Sequence, residues 1–119
     1  MQFLLSMYYP ELADGGISPD DMAAAQVAMG NYAMELHEAG VLVAATVLQP
    51  SAESITVTAD SVNNGPFLAQ PEPVGGVIIL EVPDSNAAIK WAQQCPASAW
   101  GSIEIRPTAV YVSEGSWVS

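Results

Sequence analysis

Positive charge is nearly missing from this sequence of 119 residues. Lys90 and Arg106 are the only basic side chains, against 13 Asp and Glu residues, and the formal net charge is −11 at pH 7. A nucleic-acid-binding protein must neutralise phosphate groups, whereas this chain would repel them. The same repulsion acts at anionic membrane surfaces. We therefore expect neither nucleic acid nor a membrane as a partner.

Cysteine and histidine are also scarce, since Cys95 and His37 are the single examples of each. One cysteine permits no disulfide within the chain, which suits a reducing compartment and predicts a cytoplasmic protein. No apolar run approaches the ~20 residues of a membrane span, and no positive charge opens the N-terminus as in a signal peptide. One His and one Cys without clustered acids leave no spacing for a metal site.

Motifs for cofactors are missing as well. The glycine pairs at 15–16 and 75–76 lack the spacing of a phosphate loop or a dinucleotide fingerprint. His37, the only imidazole available to a catalytic triad, is predicted to be a solvent-facing helix residue beside Glu38. Cys95 is interpreted as a small core residue, not a nucleophile. We expect no cofactor and no metal.

Apolar residues, in contrast, make up 50% of the chain, and charged residues only 13%. This balance predicts one well-packed or oligomeric domain over residues 1–119, with 108–119 as a C-terminal extension that packs on a partner subunit or swaps with it. Ser18-Pro19 predicts the start of a long helix that ends at Gly40. Met22, Met29, Tyr32 and Leu36 are among the residues on its predicted apolar face.

Hydrophobic periodicity predicts the remaining elements. Strands are predicted at 2–9, 41–48, 54–59, 77–82 and 102–106, a second helix at 83–95, and a possible further strand at 109–112. The 41–48 run is apolar throughout, which favours a central strand, and 54–59 is expected to pair with it. The order is that of a split βαβ unit. It predicts an α+β, ferredoxin-like fold with an antiparallel sheet and both helices on one face, and a symmetric dimer would cover the other face.

A turn at residues 63–67 (Asn-Asn-Gly-Pro-Phe) lies inside a predicted loop at 60–73, and the loop before the first helix is predicted at 10–16. Asn-Gly favours positive φ and Pro fixes the next φ, so the backbone must bend here. Phe67 is then either a core side chain or part of a pocket. A loop as long as 60–73 in a small domain is often functional.

Few residues offer chemistry. Glu104 and Arg106 are two apart on a predicted strand and share the face opposite Ile103 and Ile105. They are interpreted as an ion pair on the surface or, if they line a cavity, as a carboxylate-binding or acid–base pair. Other polar or aromatic groups near predicted strand ends would suit an apolar pocket with a few hydrogen-bonding groups. These are Tyr8, Tyr9, Gln49, Asn64, Phe67 and Trp100.

Many landmarks along residues 1–107 resemble those of the DGPF branch of the YCII-related proteins. Asn64-Gly65-Pro66-Phe67 is similar to the Asp-Gly-Pro-Phe signature of that branch. The other landmarks, in order, are the sequences at 1–5 (MQFLL), 35–42 (ELHEAGVL), 48–50 (LQP), 75–76 (GG), 82–84 (VPD), 87–92 (AAIKWA), 95–96 (CP) and 101–107 (GSIEIRP).

The resemblance implies a ferredoxin-like subunit that dimerises through its sheets into an α+β barrel. It also implies an apolar pocket for a small organic ligand and, in an enzyme, a cofactor-free isomerase, cyclase or lyase of specialised metabolism. In that enzyme Asn64, Gln49 and Tyr8 would orient a carbonyl, and Glu104 would serve as acid–base partner near Arg106. Asn64 replaces the signature Asp and cannot act as a carboxylate base. The alternative is a non-catalytic binding or regulatory module that acts through protein–protein interaction.

Overall fold

The computed structural model describes residues 1–11 and 18–119, so most of the loop predicted at 10–16 lies outside the described residues. Short 3-10 turns at Ser51–Glu53 and Pro96–Ala99 connect some of the longer elements. In chain order these elements are β1 (Gln2–Tyr8), α1 (Pro19–Glu38), β2 (Leu42–Val47), β3 (Ile55–Thr58), β4 (Ser61–Asn64), β5 (Val74–Glu81), α2 (Ser85–Gln94), β6 (Ser102–Pro107), β7 (Tyr111–Ser113) and β8 (Ser116–Val118).

Four strands form the main sheet in the order β2-β5-β1-β6, and every neighbouring pair is antiparallel. Leu5 of β1 anchors the register, because it lies opposite Ile78 on one side and Ile105 on the other. With α1 and α2 packed against the sheet, this topology confirms the predicted α+β, ferredoxin-like fold.

The core lies between the sheet and the helices. Buried and half-buried residues alternate along β1 and β5, as expected for strands whose two faces meet different surroundings. Tyr32 of α1 donates a hydrogen bond from its hydroxyl to the backbone oxygen of Trp91 in α2 at 2.7 Å, and the two rings meet edge to face. The buried core consists of Phe3, Leu5, Met7, Tyr32, Leu36, Ile78, Leu80, Val82, Ala88, Ala92, Cys95 and Ala97.

Helix α1 begins and ends as its sequence predicts. The Ser18 hydroxyl accepts a hydrogen bond from the Asp21 N–H at 3.1 Å, and Gly40 takes a positive φ of 74° after the last turn. The predicted apolar face is only partly correct. Met29 packs against the core, but Met22 is 49% exposed. The buried residues of this 20-residue helix, Tyr32 and Leu36, lie in its second half, so the helix does not pack on the core at Met22.

Strand β2 lies at an edge of the sheet, so the prediction of a central strand at 41–48 is wrong. The crossover through α1 carries β2 past β1, and β5 then returns between them. Val43 and Val47 are 50% and 71% exposed. The apolar composition of this strand therefore does not reflect burial within one chain.

Strand β3 pairs with β4 and not with β2, so the predicted pairing of 54–59 is also wrong. The predicted loop at 60–73 contains β4, because the chain reverses at residues 59–60 before the bend at Gly65. The hydroxyls of Thr58 and Ser61 lie 2.6 Å apart across this reversal. Within the described residues the β3–β4 hairpin is a sheet of its own.

The C-terminal residues form a second separate hairpin, β7–β8. Glu114 and Gly115 both have positive φ, which makes the tight turn between the two strands. The segment predicted at 109–112 therefore does not extend the main sheet within the described chain. Val112 and Trp117 lie opposite each other on the hairpin and are 53% and 74% exposed.

Neither α1 nor α2 packs on the second face of the main sheet, which no helix of the described residues covers, and we call it the open face. Leu4, Val77 and Ile79 lie at its centre and are half-buried. The strand registers place one row across it as Arg106, Leu4, Ile79 and Ala44, and the next as Glu104, Ser6, Val77 and Thr46. The open face therefore has an apolar centre flanked by a few polar groups.

Candidate functional site

A cavity of about 420 Å³ lies where β1 ends, beside the root of the β3–β4 hairpin. Its walls come from the end of β1, the segment after β2, and the segment that leads from β4 into β5. The lining residues are Tyr8, Leu48, Gln49, Pro50, Ser51, Glu53, Ser54, Pro66, Leu68, Gln70, Pro73 and Val74. This mixture of apolar walls and a few polar groups is typical of a small-molecule site.

Gly75 holds two walls of the cavity together. Its carbonyl oxygen accepts hydrogen bonds from the Leu48 N–H at 2.8 Å and from the Tyr9 hydroxyl at 3.1 Å. The Tyr9 N–H donates to the Pro73 oxygen at 3.4 Å. A Cβ at Gly75 would lie 2.2 Å from the Tyr9 ring, so only glycine fits here without displacing that ring. Burial raises the pKa of Tyr9, with further contributions from Cys95 and Glu11, so its hydroxyl stays protonated as a donor.

The hairpin root forms a third wall. Gly65 adopts a φ of 114°, as the Asn-Gly sequence predicts, and its N–H donates to the Ser54 oxygen at 2.7 Å. The Thr56 hydroxyl donates to the Gly65 oxygen at 2.8 Å. These bonds close the hairpin and direct Pro66 and the chain that follows along the cavity.

A 3-10 turn at Ser51–Glu53 closes the cavity on the β2 side. The Glu11 carboxylate accepts a hydrogen bond from the Ser51 N–H at 2.7 Å, and the Glu53 N–H donates to the Pro50 oxygen at 2.9 Å. Glu53 is the one charged residue among the described residues that line the cavity. The charge on the described lining of the cavity is therefore negative.

The structure brings two of the predicted site residues, Tyr8 and Gln49, together in this cavity. Asn64 is exposed at the end of β4, and Phe67 is 78% exposed, so Phe67 is not a core residue. Trp100 is 43% exposed and follows the second 3-10 turn. None of these three is among the described residues that line the cavity.

Glu104 and Arg106 lie on the open face, with Ile103 and Ile105 on the opposite face, as predicted. The expected ion pair of Arg106 with an acid is absent from the described residues. The ion pair found there joins the Met1 amine to Glu81 at 3.1 Å. Arg106 aligns with Leu4 across the strands, a register that offers it no cross-strand acid.

Tyr8 connects the cavity to the open face. It lines the cavity, and it lies opposite Ser102 on the same sheet face as Glu104, which lies opposite Ser6. Tyr8 and Glu104 are therefore diagonal neighbours, a relationship that separates Cα atoms by about 7–8 Å. The two residues are close enough for long side chains to act on one molecule.

Cys95 and His37 behave as predicted. Cys95 is 1% exposed, its sulfur lies 3.9 Å from the Met7 sulfur, and burial raises the pKa of the thiol. His37 is exposed in the last turn of α1.

In the part of the chain that the structure describes, no three His, Cys, Asp or Glu residues come together as metal ligands would. No helix there has the length and apolar character needed to cross a membrane.

A smaller groove of about 220 Å³ lies on the helix side of the sheet. It is lined by Ile89, Ala92, Gln93, Ser98, Ile103 and Ile105. Gln93 and Ser98 give this groove one amide and one hydroxyl among apolar side chains, and none of its described lining residues is charged. The larger cavity is the better candidate site because it combines aromatic, amide, hydroxyl and carboxylate groups.

Sequence reasoning missed Glu53, Leu68 and Gln70 as lining residues. The available signals were the length of the 60–73 segment, which indicates a functional loop, and the proline-rich stretch at 70–73, which indicates a stiff one. Glu53 follows Gln49-Pro50 by only three residues, within the same turn. Its closeness in sequence to Gln49 was a signal that Glu53 could line the same pocket. The packing of the hairpin root against this turn is visible only in the three-dimensional structure.

Comparison with known families gives a match that spans nearly the whole chain. The family model of the YCII-related domain matches residues 1–110. Comparison with curated proteins finds no match. The match covers β1 through β6 together with the cavity and the open face. The chain belongs to the YCII-related family.

Proposed function

We propose that this protein is a cytoplasmic homodimer that binds a small organic molecule in the cavity beside Tyr8 and Gln49. The observation that supports this most strongly is the cavity itself, which lies between hydrogen-bonded segments and combines apolar walls with convergent polar groups. Its volume of about 420 Å³ falls within the range of ligand pockets. Asn64 in place of the signature Asp suggests a ligand from specialised metabolism.

The proposed dimer forms through the open face. Leu4, Val77 and Ile79 have no helix over them, and Val57 and Val62 on the β3–β4 hairpin are 66% and 70% exposed. The radius of gyration is 15.9 Å, whereas a compact chain of this length has about 13.5 Å. Projecting apolar hairpins and an uncovered sheet face are features that a second copy would bury. The extension at 108–119 would pack on that copy.

Native mass spectrometry tests the dimer. Leu4→Asp places a charge at the centre of the open face, and Val27→Asp places the same charge on an exposed residue of α1. We expect dimers from the natural protein and Val27→Asp, and folded monomers from Leu4→Asp. A monomeric natural protein, or an unaffected dimer in Leu4→Asp with circular dichroism unchanged, would contradict the proposed interface.

A second candidate function is a cofactor-free isomerase, cyclase or lyase. The observation in its favour is the diagonal placement of Tyr8 and Glu104 on one face of the sheet. In this proposal Tyr8, Gln49 and Asn64 orient a carbonyl, and Glu104 moves a proton with Arg106 nearby. Phe67 and Trp100 would contact the ligand once the dimer has formed.

Separate substitutions distinguish catalysis from binding. Native mass spectrometry would detect a small molecule that the purified protein retains. Extraction would then supply this molecule as the substrate to test. For an enzyme, Glu104→Gln and Asn64→Ala lower turnover while ligand retention and folding persist. If the retained molecule is released unchanged by the natural protein after long incubation, the non-catalytic binding module is correct and the enzyme is not.

A further inference from the structure

We infer that the cavity takes an apolar ring compound that carries a basic nitrogen, bound as an ammonium ion beside Glu53, and that it rejects carboxylates and phosphates. This inference rests on the proposed binding function and specifies the ligand of the same site. Three features support it: the charge of the lining, the placement of every cation of the chain, and the rigidity of the apolar walls.

The lining carries negative charge only. Glu53 lines the cavity, and the Glu11 carboxylate lies behind the same turn, 2.7 Å from the N–H of the lining residue Ser51. An ammonium ion in the cavity would meet Glu53 directly and Glu11 at longer range. A carboxylate there would be repelled by both, and the overall charge of −11 adds to this repulsion.

The positive charges of the chain lie elsewhere. Lys90 is exposed on α2, Arg106 is on the open face, and His37 is in the last turn of α1. The N-terminal amine is bonded to Glu81 and to the Val82 oxygen. Residues 12–17 contain no basic side chain in the sequence. An anionic ligand would therefore meet no cation among the described residues that line the cavity.

The apolar walls suit a ring system. Three prolines line the cavity, and their fixed φ angles make these walls stiff before a ligand arrives. A stiff wall loses little conformational freedom on binding, so flat rigid ligands gain most. The prolines are Pro50, Pro66 and Pro73, and Leu48, Leu68 and Val74 complete the apolar surface. Gln49, Gln70 and Tyr8 remain for the polar end of the molecule.

Three naphthalenes of similar size test the inference by isothermal titration at pH 7. 1-Naphthylmethylamine is a cation, 1-naphthalenemethanol is neutral, and 1-naphthylacetic acid is an anion. We expect the amine to bind about twofold to fivefold more tightly than the alcohol, the range of a partly exposed ion pair. We expect the acid to bind more weakly than the alcohol by at least the same factor.

A matched pair of variants separates Glu53 from the general negative charge. Glu53→Gln removes the cavity charge, and Glu38→Gln removes a charge from the exposed end of α1. The preference for amine over alcohol should disappear in Glu53→Gln and persist in Glu38→Gln. Equal loss in both variants would assign the preference to overall charge and would overturn the inference.

The remaining outcomes are also decisive. Equal affinity for amine and alcohol, or tighter binding of the acid, overturns the ligand class while it leaves a working binding cavity. If the acid binds best and Arg106→Gln abolishes that preference, the cation comes from a second copy and the inference fails. Failure of all three probes to bind at millimolar concentration overturns the inference. If the purified protein also retains no small molecule in native mass spectrometry, the proposed binding function fails with it.

Discussion

The Glu11 carboxylate accepts a hydrogen bond from the Ser51 N–H at 2.7 Å, although the two residues are 40 positions apart in the chain. Glu11 follows β1, and Ser51 opens the turn after β2. The bond therefore connects the residue after β1, a central strand, to the turn after β2, an edge strand, and this turn forms one wall of the cavity. We expect the shape of the cavity to depend on this hydrogen bond.

Removal of the Glu11 acceptor should loosen the cavity wall. We expect Glu11→Ala to lower the free energy of unfolding by about 1 kcal/mol, because a charge-assisted hydrogen bond to the backbone is lost at a partly exposed site. The 1-naphthalenemethanol affinity should fall at the same time. Urea denaturation and isothermal titration measure the two effects.

Glu11→Gln is the control, because it keeps an acceptor oxygen and removes only the charge. We expect it to retain most of the stability and most of the affinity for the neutral alcohol. If Glu11→Ala and Glu11→Gln lose the same amount of both, the hydrogen bond to Ser51 does not shape the cavity.

The contact between α1 and α2 gives a second prediction. Tyr32→Phe removes the hydroxyl that donates to the Trp91 oxygen at 2.7 Å and keeps the ring that meets Trp91 edge to face. We expect a loss of about 0.5–1.5 kcal/mol in the free energy of unfolding. Tyr32→Ala should cost about 3–5 kcal/mol, because ring packing is lost as well. Thermal and urea denaturation at fixed protein concentration measure both, and equal losses would contradict the separate role of the hydroxyl.

Stability should fall in alkaline solution. Burial is the main cause that raises the pKa of Tyr9, Tyr32 and Cys95 above ordinary values of 10.0, 10.0 and 9.0, with added repulsion from neighbouring anionic groups at the two tyrosines. The folded state therefore keeps protons that the unfolded state releases. Stability from these groups is fully present below about pH 9 and is lost as the pH rises through and above 10.

Urea midpoints between pH 7 and pH 11 measure this dependence. Tyr32→Phe should flatten the alkaline decline, because its share of the retained protons is removed. Tyr111→Phe, at a tyrosine of the C-terminal hairpin, provides the matched control. A decline as steep in Tyr32→Phe as in the natural protein would contradict the assignment.

Two glycine substitutions should change stability in opposite directions. An added Cβ at Gly75 would lie 2.2 Å from the Tyr9 ring, so Gly75→Ala should displace that ring and cost about 1–3 kcal/mol. No described atom outside the helix backbone lies within 4 Å of an added Cβ at Gly30 in α1. Gly30→Ala should therefore stabilise the protein by about 0.5–1 kcal/mol. Denaturation curves compare the two, and a stabilised Gly75→Ala would show that Tyr9 is not held against this strand.

The sequence predicts most of the fold because its signals are local. Ser18 and Asp84 cap their helices through side-chain oxygens, and the alternation along β6 indicates a sheet with two unlike faces. The edge position of β2 and the pairing of β3 with β4 are different. They depend on which strands meet in space. The sequence of an apolar strand such as β2 does not distinguish the centre of a sheet from an edge that another surface covers.

The site is less predictable for the same reason. Tyr8 and Gln49 could be selected because each is a polar group at a predicted strand end. Glu53 becomes part of the cavity only through the Ser51–Glu53 turn and the hairpin root that packs beside it. The spacing of Glu104 and Arg106 correctly predicts that they share a face of the strand. It does not predict the cross-strand neighbour of Arg106, which is Leu4 and not an acid.

We propose binding of a small organic molecule in the cavity beside Tyr8 and Gln49. Titration of ¹⁵N-labelled protein with 1-naphthylmethylamine, followed by NMR, tests it most directly. We expect saturable shifts of the Gln49 and Gln70 side-chain amides and of the Tyr8, Ser54 and Leu68 backbone amides. Shifts confined to the groove at Ile89 and Gln93, or no saturable shifts, would contradict the account.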